Sequence, residues 1–570
     1  MKPISELIAV AQGDRVADVA LKNAQFFNVF TGMFEIGDVA IVNGYIAGVG
    51  NYRGQQEIDL TGKFITPGFI DGHVHIESSM VSPAEFARVV VPAGTTTLIA
   101  DPHEIANVVG ENGIQYVLDA VTGLPINIFV MLPSCVPATR LETSGATLTA
   151  TRLEKFIRHP RVLGLGELMD YPGVLRQEQE VLAKINMAKG KLIDGHAPEL
   201  TGHKLTAYIA AGIGSEHECV TPAEAMERLG QGMYIMLREG SAAKNLLNLL
   251  PIINSQTARR CMFATDDRHP GDLITLGHIN HMVKMSVEWG INVGTALQMA
   301  TINPATYFGL KEIGAIAPGY YADLLVFDDL VSWSPSMVFK TGKIVAQNGK
   351  DIFTTPKIAD EKIRHTMNLG ELDPKKLQIK ASSSWARVIG LVPHQLITNS
   401  LEIQVSIVDG QFIQDISKDI LKLAVFERHH ATGNVGVCLL QGLGMGAGAI
   451  ASTVAHDSHN VVVIGANDVD MMMAVEELER IQGGIAIVNQ GKVLGSLSLP
   501  LGGLMSDQDI HKVHNQLEKL HHIATELGVR SCYDPFMTLA FMSLPVIPTL
   551  KLTDKGLVDV EAFVLRTVSI

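Results

Sequence analysis

The sequence predicts an α/β protein built on a (β/α)8 barrel of the TIM type, with a flanking β-sandwich domain and an additional C-terminal mixed α/β domain. Two observations carry this prediction. Between residues 67 and 310, eight short apolar runs alternate with helical patterns, as the strands and crossover helices of a barrel do. Before and after this region, at 1–66 and 311–350, strand-like runs with turn signals indicate one sheet domain assembled from both ends.

The composition agrees with a large soluble protein. The chain has 570 residues, 47% of them hydrophobic and 18% charged, which favours several cores. A net charge of −14 argues against nucleic acid or an anionic membrane as a partner. The five cysteines are scattered without a CxxC pair, and the N-terminus lacks the apolar core of a signal peptide, so we expect a cytoplasmic location.

The two segments of the predicted sheet domain, before and after the barrel region, have the same pattern of short strands and turns. In the first, the pair Asn43-Gly44 separates two apolar runs, which is a strong hairpin signal. In the second, the runs YYADLLVFDDL and VFKTGKIVAQNGK return to the same strand-and-turn pattern. Between them lie the eight candidate barrel strands: GFIDGHVHI, TTTLIADPH, INIFVMLPS, VLGLGELMD, KLIDGHAPE, AGIGSEHE, MYIMLREGS and CMFATDDRH. The segments SPAEFARVVVPAG and TPAEAMERLGQG have the pattern of the intervening helices.

Residues 351–570 alternate strands and helices of their own and are predicted to form the C-terminal α/β domain. One uncharged segment, 433–455, approaches the length of a membrane span, but it contains six glycines and few large aliphatic residues. We therefore predict a buried glycine-rich turn with a packed helix. A nucleotide-binding loop is the alternative, although spaced glycines alone are weak evidence for one.

The stretch GFIDGHVHIESSM is the most informative motif. Side chains two apart on a strand share a face, so His73, His75 and Glu77 are predicted to point the same way. Three polar groups on one face of an apolar segment are costly to bury without partners. These three side chains therefore either face water or bind a ligand.

Other polar residues lie at the same ends of the later strands, which meet at one face of a barrel. Each could be an ordinary core histidine or a helix cap, but together, in barrel order, they predict a metal site for Zn, Mn or Fe(II). The number of candidates exceeds one open site and favours two ions bridged by Glu167 and a hydroxide. The predicted ligands are His73, His75, Glu167, His196, His217 and Asp266.

This arrangement resembles the amidohydrolase superfamily, and within it the bacterial adenine deaminases. The resemblance rests on the runs PGFIDGHVHIESSM, GTTTLIADPHEIANV, DGHAPEL and FATDDRHP, and continues in ERHHATGN, AHDSHN and LPLGGLMSD. It implies hydrolysis of adenine to hypoxanthine and ammonia in purine salvage. It also implies two divalent ions, with manganese first and iron(II) or zinc as alternatives, and a homodimer.

Two departures narrow the reaction class. Cyclic-amide hydrolases of this superfamily usually carry a carboxylated lysine on strand four, where this chain has Glu167. The motifs of the cytidine-type zinc deaminases are also absent. The alternatives are another amidohydrolase that acts on a cyclic amide or related heterocycle, and a metal-bound structural protein without turnover.

Catalytic roles follow from the chemistry of attack on C6 of a purine. Asp266 is the candidate base that takes a proton from the attacking water. Glu77 is the candidate acid that protonates the ring, with a role in holding a metal-bound histidine as the alternative.

Three further residues at strand ends are candidate substrate contacts: His103, Glu104 and Arg238. Arg238 could instead pair with Glu239 or Asp267 in a surface network. Four histidines of the C-terminal domain either reach over the barrel mouth or form solvated loops: His429, His430, His456 and His459. We expect this domain to pack against the barrel and to contribute to the site.

Overall fold

The computed structural model describes residues 2–356 and 358–570. The chain begins with helix α1 (Ile4–Ala11) and a hairpin whose turn is the Asn43-Gly44 pair. Both turn residues have positive φ, 50° and 80°, as a type I′ turn requires, so the predicted hairpin is confirmed. The first five strands are β1 (Ala17–Asn28), β2 (Met33–Val42), β3 (Tyr45–Gly50), β4 (Gly54–Asp59) and β5 (Phe64–Pro67).

The next strands form the barrel, and every predicted barrel strand is present. They are β6 (Phe69–His75), β7 (Thr95–Ala100), β8 (Asn127–Leu132), β9 (Val162–Leu168), β10 (Leu192–Gly195), β11 (Ser215–Glu216), β12 (Tyr234–Arg238) and β13 (Cys261–Ala264). Neighbours in this order pair in parallel. β14 (Asp266–Asp267) follows β13 after one residue and pairs in parallel with β6, which brings the last strand back to the first. The predicted α/β barrel is confirmed.

Helices alternate with these strands and start where the sequence supplies caps. The Ser82 side chain accepts a hydrogen bond from the backbone of Glu85, and Thr221 forms a capping box with Glu224. The helices up to the end of the barrel are α2 (Pro83–Val90), α3 (His103–Val109), α4 (Glu111–Ala120), α5 (Ala150–Ile157), α6 (Tyr171–Arg176), α7 (Gln179–Met187), α8 (Gly202–Ala210), α9 (Pro222–Gly230), α10 (Leu246–Leu249), α11 (Pro270–Thr275), α12 (Ile279–Trp289), α13 (Val293–Ala300) and α14 (Ile302–Tyr307).

After the barrel the chain returns to the first sheet. β15 (Leu324–Phe327) pairs antiparallel with β5 and is followed by β16 (Met337–Lys340), β17 (Lys343–Gln347) and β18 (Lys350–Asp351). The result is one nine-stranded sheet that contains strands from both ends of the barrel region, as the sequence indicates. The division of the chain at residues 66, 310 and 350 stays a prediction.

The C-terminal part is built on an eight-stranded sheet. Its helices are α15 (Asp468–Arg480), α16 (Ile510–Glu526) and α17 (Pro535–Ala540). Its strands are β19 (Ile379–Lys380), β20 (Trp385–Leu391), β21 (Thr398–Gln404), β22 (Ile407–Val408), β23 (Gln411–Phe412), β24 (Ile420–Phe426), β25 (Val435–Gln441), β26 (Ala449–Ser452), β27 (Val461–Gly465), β28 (Gly484–Asn489), β29 (Lys492–Ser498), β30 (Leu550–Thr553), β31 (Gly556–Asp559) and β32 (Val564–Arg566).

The glycine-rich segment 433–455 differs from its prediction. Within this fully described range the chain forms β25, a partly buried irregular turn and β26, without a helix. A Cβ atom at Gly448 would stand 2.4 Å from the carbonyl oxygen of Val488, so close backbone packing accounts for that glycine. The predicted helix is wrong, and a nucleotide-binding loop loses the helix it would need. None of the helices in residues 2–356 and 358–570 is long and apolar enough to cross a membrane.

The C-terminal domain packs against the barrel, as predicted. A parallel bridge joins Val81 to Ser506. On another part of the contact, the Thr553 hydroxyl donates to the carbonyl oxygen of Leu141 at 2.6 Å, and the Thr143 hydroxyl donates to Asp554 at 2.7 Å. These polar contacts hold the two parts in a defined orientation.

A glycine on β9 generates a test of this architecture. A Cβ atom at Gly164 would stand 2.0 Å from the carbonyl oxygen of Leu192 on β10, so the strands would have to separate. We expect Gly164→Ala to destabilise the fold by about 1–3 kcal/mol and to lower the thermal unfolding midpoint. Gly230→Ala, whose Cβ would meet nothing within 4 Å, is the matched control. Equal midpoints for the two variants would contradict the close strand contact.

Candidate metal centre

The first barrel strand delivers two imidazoles to one place. Every residue of β6 is buried, and His73 and His75 point to the same side, with their Nε2 atoms 3.1 Å apart. The carboxylate of Asp71 accepts hydrogen bonds from the backbone N–H of His73 and from that of Thr265, the residue between β13 and β14. These bonds tie the first strand of the barrel to the last. The shared face predicted for the two histidines is confirmed.

Glu77 does not continue that face. The strand ends at His75, and residues Ile76–Ser79 form a 3-10 turn, so the predicted strand position of Glu77 is wrong. Its side chain is nevertheless buried, and one oxygen accepts from the backbone N–H of Ile105 at 3.2 Å. Burial raises the pKa of Glu77 to about 7.

Glu167, near the end of β9, is the central carboxylate of the site. Its Oε1 atom lies 2.9 Å from Nε2 of His73 and 2.8 Å from Nε2 of His75. Its other oxygen, Oε2, lies 2.9 Å from Nδ1 of His196 and 3.8 Å from Nε2 of His217. One carboxylate therefore faces, with both of its oxygens, imidazoles at the ends of three other strands.

Asp266 completes the side of the site next to β6. Its φ of 58° is a left-handed conformation that aspartate tolerates, and its Oδ1 atom lies 3.1 Å from Nε2 of His75 and 3.7 Å from that of His73. The guanidinium of Arg238 donates to Oδ2 of Asp266 at 2.8 Å and also binds Glu218. The alternative for Arg238, a surface pairing with Glu239 or Asp267, is wrong, because Arg238 is buried behind the site.

Buried polar atoms without partners indicate where cations fit. Among the described residues, Glu167 Oε1, His103 Nδ1 and both carboxylate oxygens of Asp101 find no hydrogen-bond partner. A buried carboxylate in this state is costly unless a cation compensates it. Two groups of potential ligand atoms, each within 4.8 Å of one another, share Glu167: His73, Glu167, His217 and Asp266 form one, and His75, His103 and Glu167 form the other. The residues present therefore fit divalent ions.

The electrostatics favour charged carboxylates. Burial raises the pKa of Glu167, but His75 and His73 outweigh it and hold the pKa well below its usual range. Burial likewise raises the pKa of Asp266, but Arg238 and His75 hold it well below its usual range. Burial lowers the pKa of His217, whereas Glu218 and Glu167 raise it to about 9. The site thus keeps anionic oxygens and attracts positive charge, which is the setting of a metal centre.

Two functional candidates were missed in the sequence, Asp101 and Glu218. Asp101 follows β7 directly and is buried, and its carbonyl oxygen lies 3.0 Å from Nδ1 of His75. Glu218 follows His217 and contacts both His217, at 3.2 Å, and Arg238. The signal was available, because both lie at the strand ends from which the other candidates were taken.

His103 and Glu104 lie at the second strand end, as predicted. His103 faces the centre, with Nδ1 3.8 Å from Glu167 Oε1. Glu104 is contacted by two histidines of the C-terminal domain, His456 and His459. The other two histidines of that domain lie elsewhere: His429 contacts the carbonyl oxygen of Ser458, and His430 that of Ser144. Substrate contact by His103, Glu104 or Arg238 stays a prediction.

Comparison with known proteins gives two family matches along the chain. Residues 64–345 match the amidohydrolase family, and residues 395–564 match the adenine deaminase C-terminal domain. Adenine deaminase 2 of Carboxydothermus hydrogenoformans is 63% identical over 570 residues, 100% of both chains. Adenine deaminase of Desulfatibacillum aliphaticivorans is 49% identical over 560 residues, 98% of each chain. The resemblance first seen in short motifs is confirmed over the whole length.

Removal of the Arg238 charge should lower the stability of the folded protein. Arg238→Met leaves Asp266 and Glu218 buried without their cation, and we expect a loss of about 3–5 kcal/mol in unfolding free energy. The matched control is Arg152→Met, because Arg152 pairs with Glu111 at an exposed site and should cost less than about 1 kcal/mol. Denaturant unfolding of both variants measures the difference. Similar losses would mean that Arg238 does not stabilise the buried carboxylates.

Proposed function

The chain belongs to the adenine deaminase family, and on this premise we propose that it hydrolyses adenine to hypoxanthine and ammonia. The observation that carries the proposal is the set of four imidazoles and two carboxylates that converge on one face of the barrel. The names of the relatives, matched over the whole chain, supply the substrate. In the reaction, water adds its oxygen to C6 of the purine and the C6–N bond to the amino group breaks.

The proposed ligands are the residues predicted from the sequence: His73, His75, Glu167, His196, His217 and Asp266. Two divalent ions, manganese in the first place, would lower the pKa of water at the site and so make a nucleophile available at neutral pH. The two oxygens of Glu167 support two ions, because one faces His73 and His75 while the other faces His196 and His217.

Asp266 is the proposed base. Its Oδ1 atom faces the imidazoles of β6, while Arg238 binds Oδ2 and keeps the carboxylate charged and oriented. A charged carboxylate at that point can accept the proton that the attacking water loses and pass it on to the leaving amino group. Removal of this proton is what allows the oxygen to stay bonded to C6.

Glu77 is the proposed acid that protonates the purine ring, at N1. Its burial supports this role, because a neutral carboxylic acid is cheaper to bury than a carboxylate and can donate its proton. Protonation at N1 offsets the negative charge that attack on C6 places on the ring. The competing role, in which Glu77 holds the first strand and its histidines in place, is supported by its contact with the backbone of Ile105.

The biological setting is proposed on the same premise. The product hypoxanthine is a free purine base that salvage reactions can reuse. A homodimer and a cytoplasmic location are part of the proposal; five cysteines without a disulfide among them support a reducing compartment. Size measurement of the purified protein in solution tests the dimer.

The test of the function measures metal and turnover on the same sample. We expect two manganese ions per chain by elemental analysis and release of ammonia from adenine but not from adenosine. Removal of the ions with a chelator should abolish ammonia release, and manganese should restore it. Opening of a cyclic amide without ammonia release from adenine would identify the alternative amidohydrolase class. One ion per fully active chain would reject the binuclear site.

Glu77→Gln separates the two roles of Glu77. The amide keeps the shape and the contact with Ile105 but cannot supply the proton, so we expect kcat to fall roughly 100-fold or more with metal content intact. Elemental analysis and steady-state kinetics measure the two quantities. A loss of metal, with normal turnover in the fraction that keeps it, would instead support the holding role.

A further inference from the structure

His103 has two ring nitrogens with different surroundings. Its Nε2 atom lies 3.3 Å from Oε1 of Glu104. Its Nδ1 atom is buried without a hydrogen-bond partner among the described residues and faces Glu167 Oε1 at 3.8 Å and Asp101 Oδ1 at 3.6 Å. A histidine with one nitrogen on a carboxylate and the other aimed at unpartnered oxygens has the geometry of a metal ligand with its supporting carboxylate.

Glu104 is held from the other side by the C-terminal domain. Nδ1 of His456 lies 2.6 Å from Oε1 of Glu104, and Nε2 of His459 contacts Oε2. Glu104 is 352 residues before His456 and 355 residues before His459 in the chain. Each oxygen of this buried carboxylate therefore has an imidazole from the C-terminal domain, and Oε1 in addition faces His103 of the barrel.

The two C-terminal histidines are themselves fixed. The backbone N–H of Ala455 donates to Nδ1 of His459 at 3.0 Å, so Nε2 carries the proton and is the donor to Glu104. The guanidinium of Arg428, fully buried, donates to the carbonyl oxygen of His459. The ring of His456 stacks on Phe541 with centroids 4.6 Å apart. Glu104 thus receives its donors from a rigid support.

We propose that His103 is a ligand of the metal centre through Nδ1, and that Glu104, held by His456 and His459, is its positioning carboxylate. In this arrangement the C-terminal domain fixes the orientation of a barrel ligand through a chain of three groups. This role replaces the substrate contact predicted for His103 and Glu104. The proposal rests on the metal centre of the proposed function, but not on the identity of the substrate.

A third metal ion bound at Glu104 would explain its contacts with His456 and His459 less well than a hydrogen-bonded support does. The two C-terminal imidazoles meet separate oxygens of Glu104 with hydrogen-bond geometry. At Glu167 the situation differs, because His73 and His75 both approach the single atom Oε1, which nevertheless has no hydrogen-bond partner among the described residues. Satisfied hydrogen bonds indicate a support, whereas converging unpartnered atoms indicate a coordination site.

The experiment measures manganese binding directly. Metal-free full-length protein is titrated with Mn²⁺ in equilibrium dialysis, and bound metal is determined by elemental analysis. We expect the Kd of the more weakly held ion to rise about 10- to 100-fold in His103→Ala, Glu104→Gln and His459→Ala. His459→Gln, which keeps a donor, should stay within about threefold of the wild type.

The matched control is His430→Ala. His430 also reaches from the C-terminal domain to the barrel, where it contacts the carbonyl oxygen of Ser144, and it has no part in the proposed support. We expect its Kd to equal that of the wild type. Circular dichroism of each variant identifies any that fails to fold, and Glu104→Gln, which preserves shape, keeps the test decisive if His103→Ala does not fold.

The outcomes separate this inference from the proposed function. Wild-type Kd values in His103→Ala and Glu104→Gln, with adenine deamination intact in the wild type, would overturn the inference alone. Weaker binding in His103→Ala but not in His459→Ala would overturn the role of the C-terminal domain. A wild-type protein that binds two ions without releasing ammonia from adenine would overturn the function, while the variant affinities would still decide the inference.

Discussion

The site depends on a single electrostatic constraint, the burial of the Glu167 carboxylate. Its side chain is almost fully enclosed at 3% exposure, in surroundings where an uncompensated charge is costly. The protein meets this constraint by bringing His73, His75 and His196 within 3 Å of its two oxygens. Two of those imidazoles lie on β6 and the third follows β10, so the barrel must form correctly for all three to reach the carboxylate. Stability of the fold and the capacity to hold cations are therefore linked.

Around Glu167, negatively and positively charged side chains alternate with increasing distance from the centre. Asp266 is anionic because Arg238 lies behind it, and Arg238 is in turn shared with Glu218. On the opposite side, Glu104 faces His456 and His459. Asp266 and Glu104 thus each have a partner of opposite or donating character one step further from the centre. Such buried networks are rigid when every member is satisfied, and this rigidity is what a centre with defined ligand positions needs.

Periodicity and strand order in the sequence predict most of the barrel and which polar side chains meet at its face, because both are local signals. The eight strands, the shared face of His73 and His75, and the turn at Asn43-Gly44 all follow from side-chain alternation and turn chemistry. The features that the sequence does not predict depend on how separate parts of the chain pair with one another. The end of a strand depends on its pairing, so the turn to a 3-10 segment before Glu77 was not visible. Partners far apart in the chain, such as Glu104 and His456, carry no sequence signal of their contact.

The nine-stranded sheet has a consequence for how the protein is made. β5 ends at Pro67, and its partner β15 begins only at Leu324. During synthesis at about 5–20 residues per second, β5 leaves the ribosome roughly 10–50 s before the strand that will cover its edge exists. For that time the nascent chain carries an unpaired strand edge, which is a template for aggregation. The first sheet can therefore be completed only after translation has passed the whole barrel.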